Sequence, residues 1–154
     1  MTALDDRLRS TLTDLMLWIA SERLRATVIG GIAAGIRGQP RLTKDVDAVI
    51  FETGAEELLA SGMRHGFEPR IDNALEFSRG TRMLLMRHRS GVDVDLSLGG
   101  LPFEREVVER AQVIDAEGLR ISVATPDWVR EFSAILEMPE ILDELEALLR
   151  RRKR

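Results

Sequence analysis

The spacing of hydrophobic residues changes several times along the chain between a helical and an extended period. Near the N-terminus, leucine and isoleucine recur every three or four residues, which predicts an amphipathic helix over about residues 4–24. Short apolar runs bounded by glycine, proline or charged residues predict strands instead. The predicted strands are 26–29, 46–51, 82–88, 92–98 and 119–124, and the other predicted helices are 32–37, 55–65 and 103–111.

A short turn links two of the predicted strands. The strands 82–88 and 92–98 are separated only by Arg-Ser-Gly, ending at Gly91. Such a short connection favours an antiparallel hairpin, and a glycine at its end favours a positive φ angle. We therefore expect the two strands to be antiparallel neighbours.

The order of the elements predicts the fold class. Thr125 followed by Pro126 is typical of a helix N-cap with proline at the first helical position, and predicts helices over about 126–152. Glu104, in the first turn of the predicted helix 103–111, is expected to be exposed there. The alternation predicts an α/β (α+β) fold in which helices flank a mixed β-sheet. We expect one domain over 1–154, with its core at about 25–125.

Composition limits the possible functions. The chain has 154 residues, 44% of them hydrophobic and 31% charged, which is typical of one globular domain. No apolar run reaches the ~20 residues that cross a bilayer, and the N-terminus is acidic, so we predict a cytoplasmic protein without a membrane partner. The absence of cysteine excludes thiolate metal sites. A net charge of −4 argues against general adhesion to nucleic acid.

Two Asp-x-Asp pairs are candidates for metal binding. Because side chains in a strand alternate between its faces, Asp45 and Asp47 should point to the same side, and so should Asp93 and Asp95. Neighbouring carboxylates repel one another, and a hard cation such as Mg²⁺ or Mn²⁺ would relieve the repulsion. Either pair alone is equally typical of an ordinary strand end or turn. The pairs therefore need support from other parts of the chain.

A diglycine turn lies just upstream of the first pair. Gly30 and Gly31 separate a predicted strand from a predicted helix, so the backbone N–H groups there could approach a phosphate closely. The sequence around them matches neither the P-loop pattern nor the dinucleotide-binding pattern of glycines. A plain tight turn is the alternative interpretation.

Taken together, these motifs resemble a known family. The segment GGIAAGIRGQPRLTKDVDAVIF is similar to the signature of the nucleotidyltransferase-fold superfamily, particularly its minimal, abortive-infection toxin type. RHRSGVDVDLSLGGLPFE resembles the region of the family's third carboxylate, and VATPDW the start of its C-terminal helix. Asp93 fits that pattern less well than Asp95 does. The implied catalytic and metal-binding residues are Asp45, Asp47 and Asp95, and the implied nucleotide-binding residues are Gly30, Gly31, Arg41, Thr43 and Lys44.

The resemblance also implies an activity and partners. It implies an ATP- or other NTP-dependent transferase that uses Mg²⁺ or Mn²⁺ to move a nucleoside monophosphate to a hydroxyl of an acceptor. That acceptor would be a tRNA or a protein, and the chain could be the toxin of a toxin–antitoxin pair, with an antitoxin protein as partner. Ser133, Met138 and Ile141 stand where relatives of the toxin type carry lysine, arginine and aspartate. The alternative is therefore a catalytically degenerate domain that binds a nucleotide or a partner.

Overall fold

The structure, a computed structural model, describes residues 4–37 and 44–127. Five helices lie within these ranges: α1 (Asp6–Ser21), α2 (Gly30–Ile36), α3 (Ala55–Met63), α4 (Ala74–Thr81) and α5 (Pro102–Glu109). Seven strands accompany them: β1 (Arg25–Ile29), β2 (Val46–Phe51), β3 (Phe67–Pro69), β4 (Met83–His88), β5 (Asp93–Gly99), β6 (Gln112–Ala116) and β7 (Leu119–Val123). In the described part of the chain, no helix combines the length and the apolar character that crossing a membrane requires.

All seven strands form one mixed sheet in the order β3-β4-β5-β2-β1-β7-β6. β2 pairs with β5 in parallel, and β1 pairs with β7 in parallel. The remaining neighbours are antiparallel. The predicted fold class, a mixed sheet flanked by helices, is confirmed.

Three elements were not predicted from the sequence, and each lacks the pattern that would have indicated it. β3 has three residues, of which only Phe67 is buried. β6 forms an edge of the sheet, and Ala116 is its only buried residue. α4 buries only Ala74 and Ser78, so it has no apolar stripe. The predicted helices beyond residue 127 lie outside the described residues, although Pro126 and Asp127 are helical.

The predicted hairpin is confirmed, and α1 anchors it. β4 and β5 are antiparallel, and Gly91 has a φ angle of +92°. His88, at the end of β4, is buried beneath the turn, and its Nε2 atom lies 2.6 Å from Oδ2 of Asp14 in α1. Its Nδ1 atom lies 2.9 Å from Oγ of Ser90 in the turn. The hydrogen bonds of one imidazole ring therefore join the turn to the first helix.

The main core lies between α1, α3 and one face of the sheet. The apolar stripe of α1 is buried, as its leucine spacing predicts. Trp18 donates its indole N–H to Oγ of Ser61 in α3 at 2.8 Å, and its ring stacks on Phe67 with centroids 5.0 Å apart. The indole therefore buries a large apolar surface while its polar group is satisfied.

α5 packs against the opposite face of the sheet, and this packing overturns one expectation. Glu104 is only 4% exposed, whereas an exposed position was predicted. Its carboxylate is ion-paired with Arg82 and accepts backbone N–H bonds from Gly100 at 3.3 Å and Leu101 at 3.2 Å. A buried carboxylate is stable when it is paired and hydrogen-bonded in this way. Glu104 therefore fixes the start of α5 to the end of β5.

Replacing Glu104 by alanine is expected to destabilise the fold by about 1–3 kcal/mol, because it leaves two backbone N–H groups and a half-buried arginine without their shared acceptor. The measurement is the midpoint of urea unfolding. Glu109→Ala is the control, since Glu109 belongs to the same helix but is exposed. Equal midpoints for the two variants would contradict the role given to Glu104.

Candidate active site

Asp47 and Asp95 lie side by side in the middle of the sheet. In the parallel pairing of β2 with β5, Asp47 is directly opposite Asp95. On its other side Asp47 is opposite Ile29, the last residue of β1. Asp45 directly precedes β2. It is two residues before Asp47, so in an extended chain the two side chains lie on the same side and Asp45 continues the row of carboxylates. The fold therefore brings the three predicted catalytic aspartates to one end of β2 and β5.

The diglycine turn borders this row of carboxylates. Gly30 follows Ile29 directly and has a φ angle of +71°, a conformation that L side chains rarely adopt. A Cβ atom placed on Gly30 would lie 2.6 Å from Oδ2 of Asp47. Glycine is therefore required here for two reasons: the backbone conformation and the space that the Asp47 carboxylate occupies.

Replacing Gly30 by alanine is expected to destabilise the protein by about 1–3 kcal/mol and to displace the Asp47 side chain. Gly35→Ala is the matched control. Gly35 lies in the same helix, and a Cβ atom there would have nothing within 4 Å. That variant should be as stable as the wild type or more so, since alanine favours helix. Thermal unfolding of both variants tests the prediction, and a Gly30→Ala protein as stable as Gly35→Ala would contradict it.

The electrostatics of the site show that its carboxylates repel one another. Burial, followed by the neighbouring charges of Asp95 and Asp45, raises the pKa of Asp47 to about 7 against the opposing charge of Arg70. Burial also raises the pKa of Asp45, as do the charges of Asp93 and Asp95, while Arg70 and Lys44 act in the opposite direction. A bound cation would relieve this repulsion.

Arg70 is a site residue that the sequence did not indicate. It follows β3, and its guanidinium forms an ion pair with Asp95 through Nη1. The same Nη1 donates to the carbonyl oxygen of Met86 at 3.2 Å, and the Arg70 Nε atom lies 3.9 Å from Oδ2 of Asp93. No local motif marks this arginine, because only the pairing of β3 with β4 brings it to the aspartates.

Asp93 differs from Asp95 in its main contact. Its Oδ1 atom accepts a hydrogen bond at 2.8 Å from Nε of Arg87, which lies opposite it on β4. This cross-strand ion pair is partly exposed, so its contribution to stability is small. Asp93 therefore lies beside the row of carboxylates and is paired with a surface arginine.

Several solved structures resemble this one. A crystal structure of a "putative nucleotidyltransferase" from Thermotoga maritima matches it with a TM-score of 0.60 and 14% sequence identity, over 97% of this chain and 96% of that one. The chain therefore has a nucleotidyltransferase fold. An antigenic nucleotidyltransferase-like protein from Paracoccidioides brasiliensis matches with a TM-score of 0.48 and 18% identity, over 84% of this chain and 65% of that one. No protein-family model matches the sequence, and no curated protein matches it.

The match to the Thermotoga maritima structure confirms the predicted fold. The toxin-type subclass stays a prediction. Of the predicted nucleotide-binding residues, Arg41 and Thr43 lie outside the described residues. Lys44 is exposed, and its charge acts on Asp45. Gly30 and Gly31 begin α2, and Gly30 lies beside Asp47; the nucleotide-binding role of both glycines stays a prediction.

The donor set of the site suits a hard divalent cation. Asp45 and Asp47 offer carboxylate oxygens, the ligands that Mg²⁺ and Mn²⁺ prefer, and burial together with the neighbouring carboxylates raises the pKa of both. Over residues 4–37 and 44–127, no three acidic, histidine or cysteine side chains are grouped as around a bound ion. Asp95 is held by Arg70 instead. The metal-binding roles of Asp45, Asp47 and Asp95 stay predictions.

Proposed function

We propose that the chain is a metal-dependent nucleotidyltransferase that moves a nucleoside monophosphate from an NTP to a hydroxyl of an acceptor. The observation that supports it most is the direct pairing of Asp47 with Asp95 on adjacent parallel strands, beside a glycine that leaves room for the Asp47 carboxylate. The fold similarity and the signature over residues 30–51 agree with it.

Each carboxylate has a role in this proposal. Asp45 and Asp47 would hold the cation, which when bound supplies positive charge to the triphosphate and its pyrophosphate leaving group. Asp95 would orient the acceptor hydroxyl or accept its proton. The hydroxyl oxygen forms a bond to the α-phosphorus, the bond between the α- and β-phosphates breaks, and pyrophosphate leaves.

The nucleotide would lie against the diglycine turn. Gly30 and Gly31 present backbone rather than side chains beside Asp47, so a phosphate can approach closely. The resemblance adds Arg41, Thr43 and Lys44 as phosphate contacts, with ATP as one candidate nucleotide. Asp47, one of the carboxylates that would hold the cation, thus lies next to the turn that would bind the phosphates.

The acceptor and the biological role are proposed from the resemblance alone. They are a tRNA or protein acceptor, and the role of a toxin whose antitoxin protein binds it in the cytoplasm. Expression with and without the gene of a candidate antitoxin tests the role. Growth arrest that depends on Asp47, and that the second protein reverses, would support it, while normal growth in every case would count against it.

Transfer of label tests the activity itself. Purified protein is incubated with each α-³²P-labelled NTP, Mg²⁺ and total tRNA or cell lysate. The wild type should label an acceptor, and the Asp45→Asn/Asp47→Asn variant should not. Asp6→Asn/Asp72→Asn is the matched control, because it removes the same charge from exposed positions. Equal labelling by the wild type and the Asp45/Asp47 variant would contradict the proposal.

A catalytically degenerate domain is the second candidate. It is favoured by Ser133, Met138 and Ile141, which replace charged residues of the toxin-type pattern and lie outside the described residues. Such a domain would act by binding a nucleotide or a partner. Calorimetric titration with ATP and Mg²⁺ distinguishes the cases: binding without transfer favours a nucleotide-binding module, and an absence of both favours a partner-binding one.

A further inference from the structure

Arg70 is built into the sheet rather than extended from its surface. Its backbone N–H donates to the carbonyl oxygen of Leu85 at 3.1 Å, which continues the pairing of β3 with β4. Its side chain is 18% exposed and also donates to the carbonyl oxygen of Met86. Backbone and side chain therefore both hold the guanidinium in place, at little further entropic cost.

This guanidinium supplies positive charge where the carboxylates meet. It is ion-paired with Asp95, and its charge opposes the rise in pKa of both Asp45 and Asp47. Leu85, whose backbone binds Arg70, lies directly opposite Asp95 on β4. Asp95 therefore lies between two neighbours in the sheet: Arg70 approaches it across β4, and Asp47 lies on its other side in β2.

We propose that Arg70 takes the place of one divalent cation at Asp95. The inference rests on the proposed function, in which Asp45 and Asp47 hold a metal ion and Asp95 is the third carboxylate. The resemblance implies that Asp95 ligates metal as well, but in this chain a fixed arginine already binds it. A guanidinium and a divalent ion on one carboxylate would repel each other, so the arginine excludes the ion.

Two consequences distinguish this arrangement from an ordinary ion pair. The number of bound ions should be one lower than the carboxylates alone would permit, and it should rise by one when Arg70 loses its charge. Arg70 also fixes the direction of the Asp95 carboxylate through their ion pair, which makes it a positioning residue for the carboxylate that would face the acceptor hydroxyl.

Counting bound Mn²⁺ by electron paramagnetic resonance tests the inference without any measurement of activity. Arg70→Gln should bind one Mn²⁺ more than the wild type, whereas Arg70→Lys should bind the same number. Arg87→Gln is the matched control, because it removes an equal charge from an arginine of β4 that pairs with Asp93, the other aspartate of the same Asp-x-Asp pair on β5. It should leave the number unchanged. Equal numbers in wild type and Arg70→Gln, or an equal gain in Arg87→Gln, would overturn the inference.

Asp95→Asn supplies a second test, and its first measurement does not depend on the folding of Arg70→Gln. If Arg70 rather than metal binds Asp95, the substitution leaves the Mn²⁺ number of the wild type unchanged, and in the Arg70→Gln background it removes the added ion. Loss of an ion from Asp95→Asn alone would overturn the inference and leave the proposed function standing. A wild type that binds no Mn²⁺, with one ion in Arg70→Gln, would support the inference and count against the proposed function.

Discussion

Asp47→Asn is expected to stabilise the metal-free protein at pH 8 by about 2–4 kcal/mol, which corresponds to a rise in Tm of roughly 5–15 °C. The reason is the pKa of Asp47, which is raised from 3.8 to about 7 in the folded chain. At pH 8 the wild type must keep a charged carboxylate among other carboxylates in a largely buried position. Asparagine occupies the same space without the charge.

The pH dependence of this effect has a definite sign. The folded state binds the Asp47 proton more tightly than the unfolded state does, since its pKa is the higher of the two. The stability associated with this group is therefore fully present below about pH 4 and is lost as the pH rises towards 7. The variant and the wild type should consequently be similar in stability at pH 4 and differ most at pH 8.

Urea unfolding at both pH values, in EDTA, measures this difference. Asp72→Asn is the control, because this substitution removes an equal charge from an exposed position. Added Mg²⁺ should narrow the gap at pH 8, since a cation stabilises only the protein that retains the carboxylate. If Asp47→Asn were no more stable than the wild type at pH 8, the charged Asp47 carboxylate would not destabilise the fold, and the prediction would be contradicted.

Asp95→Asn is expected to lower the rate of nucleotide transfer by about 10²–10⁴-fold, whereas Asp93→Asn should change it only a few-fold. Asp95 is directly opposite Asp47 on the neighbouring strand and is fixed by Arg70, while Asp93 is paired with the half-exposed Arg87. The two substitutions remove the same group from positions two residues apart.

The two variants are compared by their single-turnover rates of transfer from labelled NTP, at saturating nucleotide, to an acceptor that the wild type labels. Circular dichroism and unfolding midpoints of both variants control for loss of structure. Equal losses in the two variants would mean that the site uses both carboxylates of the second pair. If only Asp93→Asn lost transfer activity, Asp93 and not Asp95 would be the third carboxylate, which would contradict the assignment made from strand register and ion pairing.

The local sequence determined most of the elements that build the site. The strand 46–51 was predicted with the bounds that β2 has, and the hairpin with its positive-φ glycine was predicted at the correct turn. These features depend on hydrophobic period and turn chemistry, which act over a few residues. The same-side placement of the Asp-x-Asp residues follows from the period of a strand alone.

Which charged side chains form ion pairs depends on the tertiary structure. Arg70 and Asp95 are 25 positions apart, and they meet because β4 lies between β3 and β5. Glu104 is buried because β5 brings Gly100 and Leu101, and the preceding helix brings Arg82, to the start of α5. Electrostatic pairing depends on distance in space, and strand order cannot be deduced from period or propensity. The local sequence thus identified the three candidate aspartates and the glycine beside them, whereas only the order of strands in the sheet brought Arg70 to Asp95.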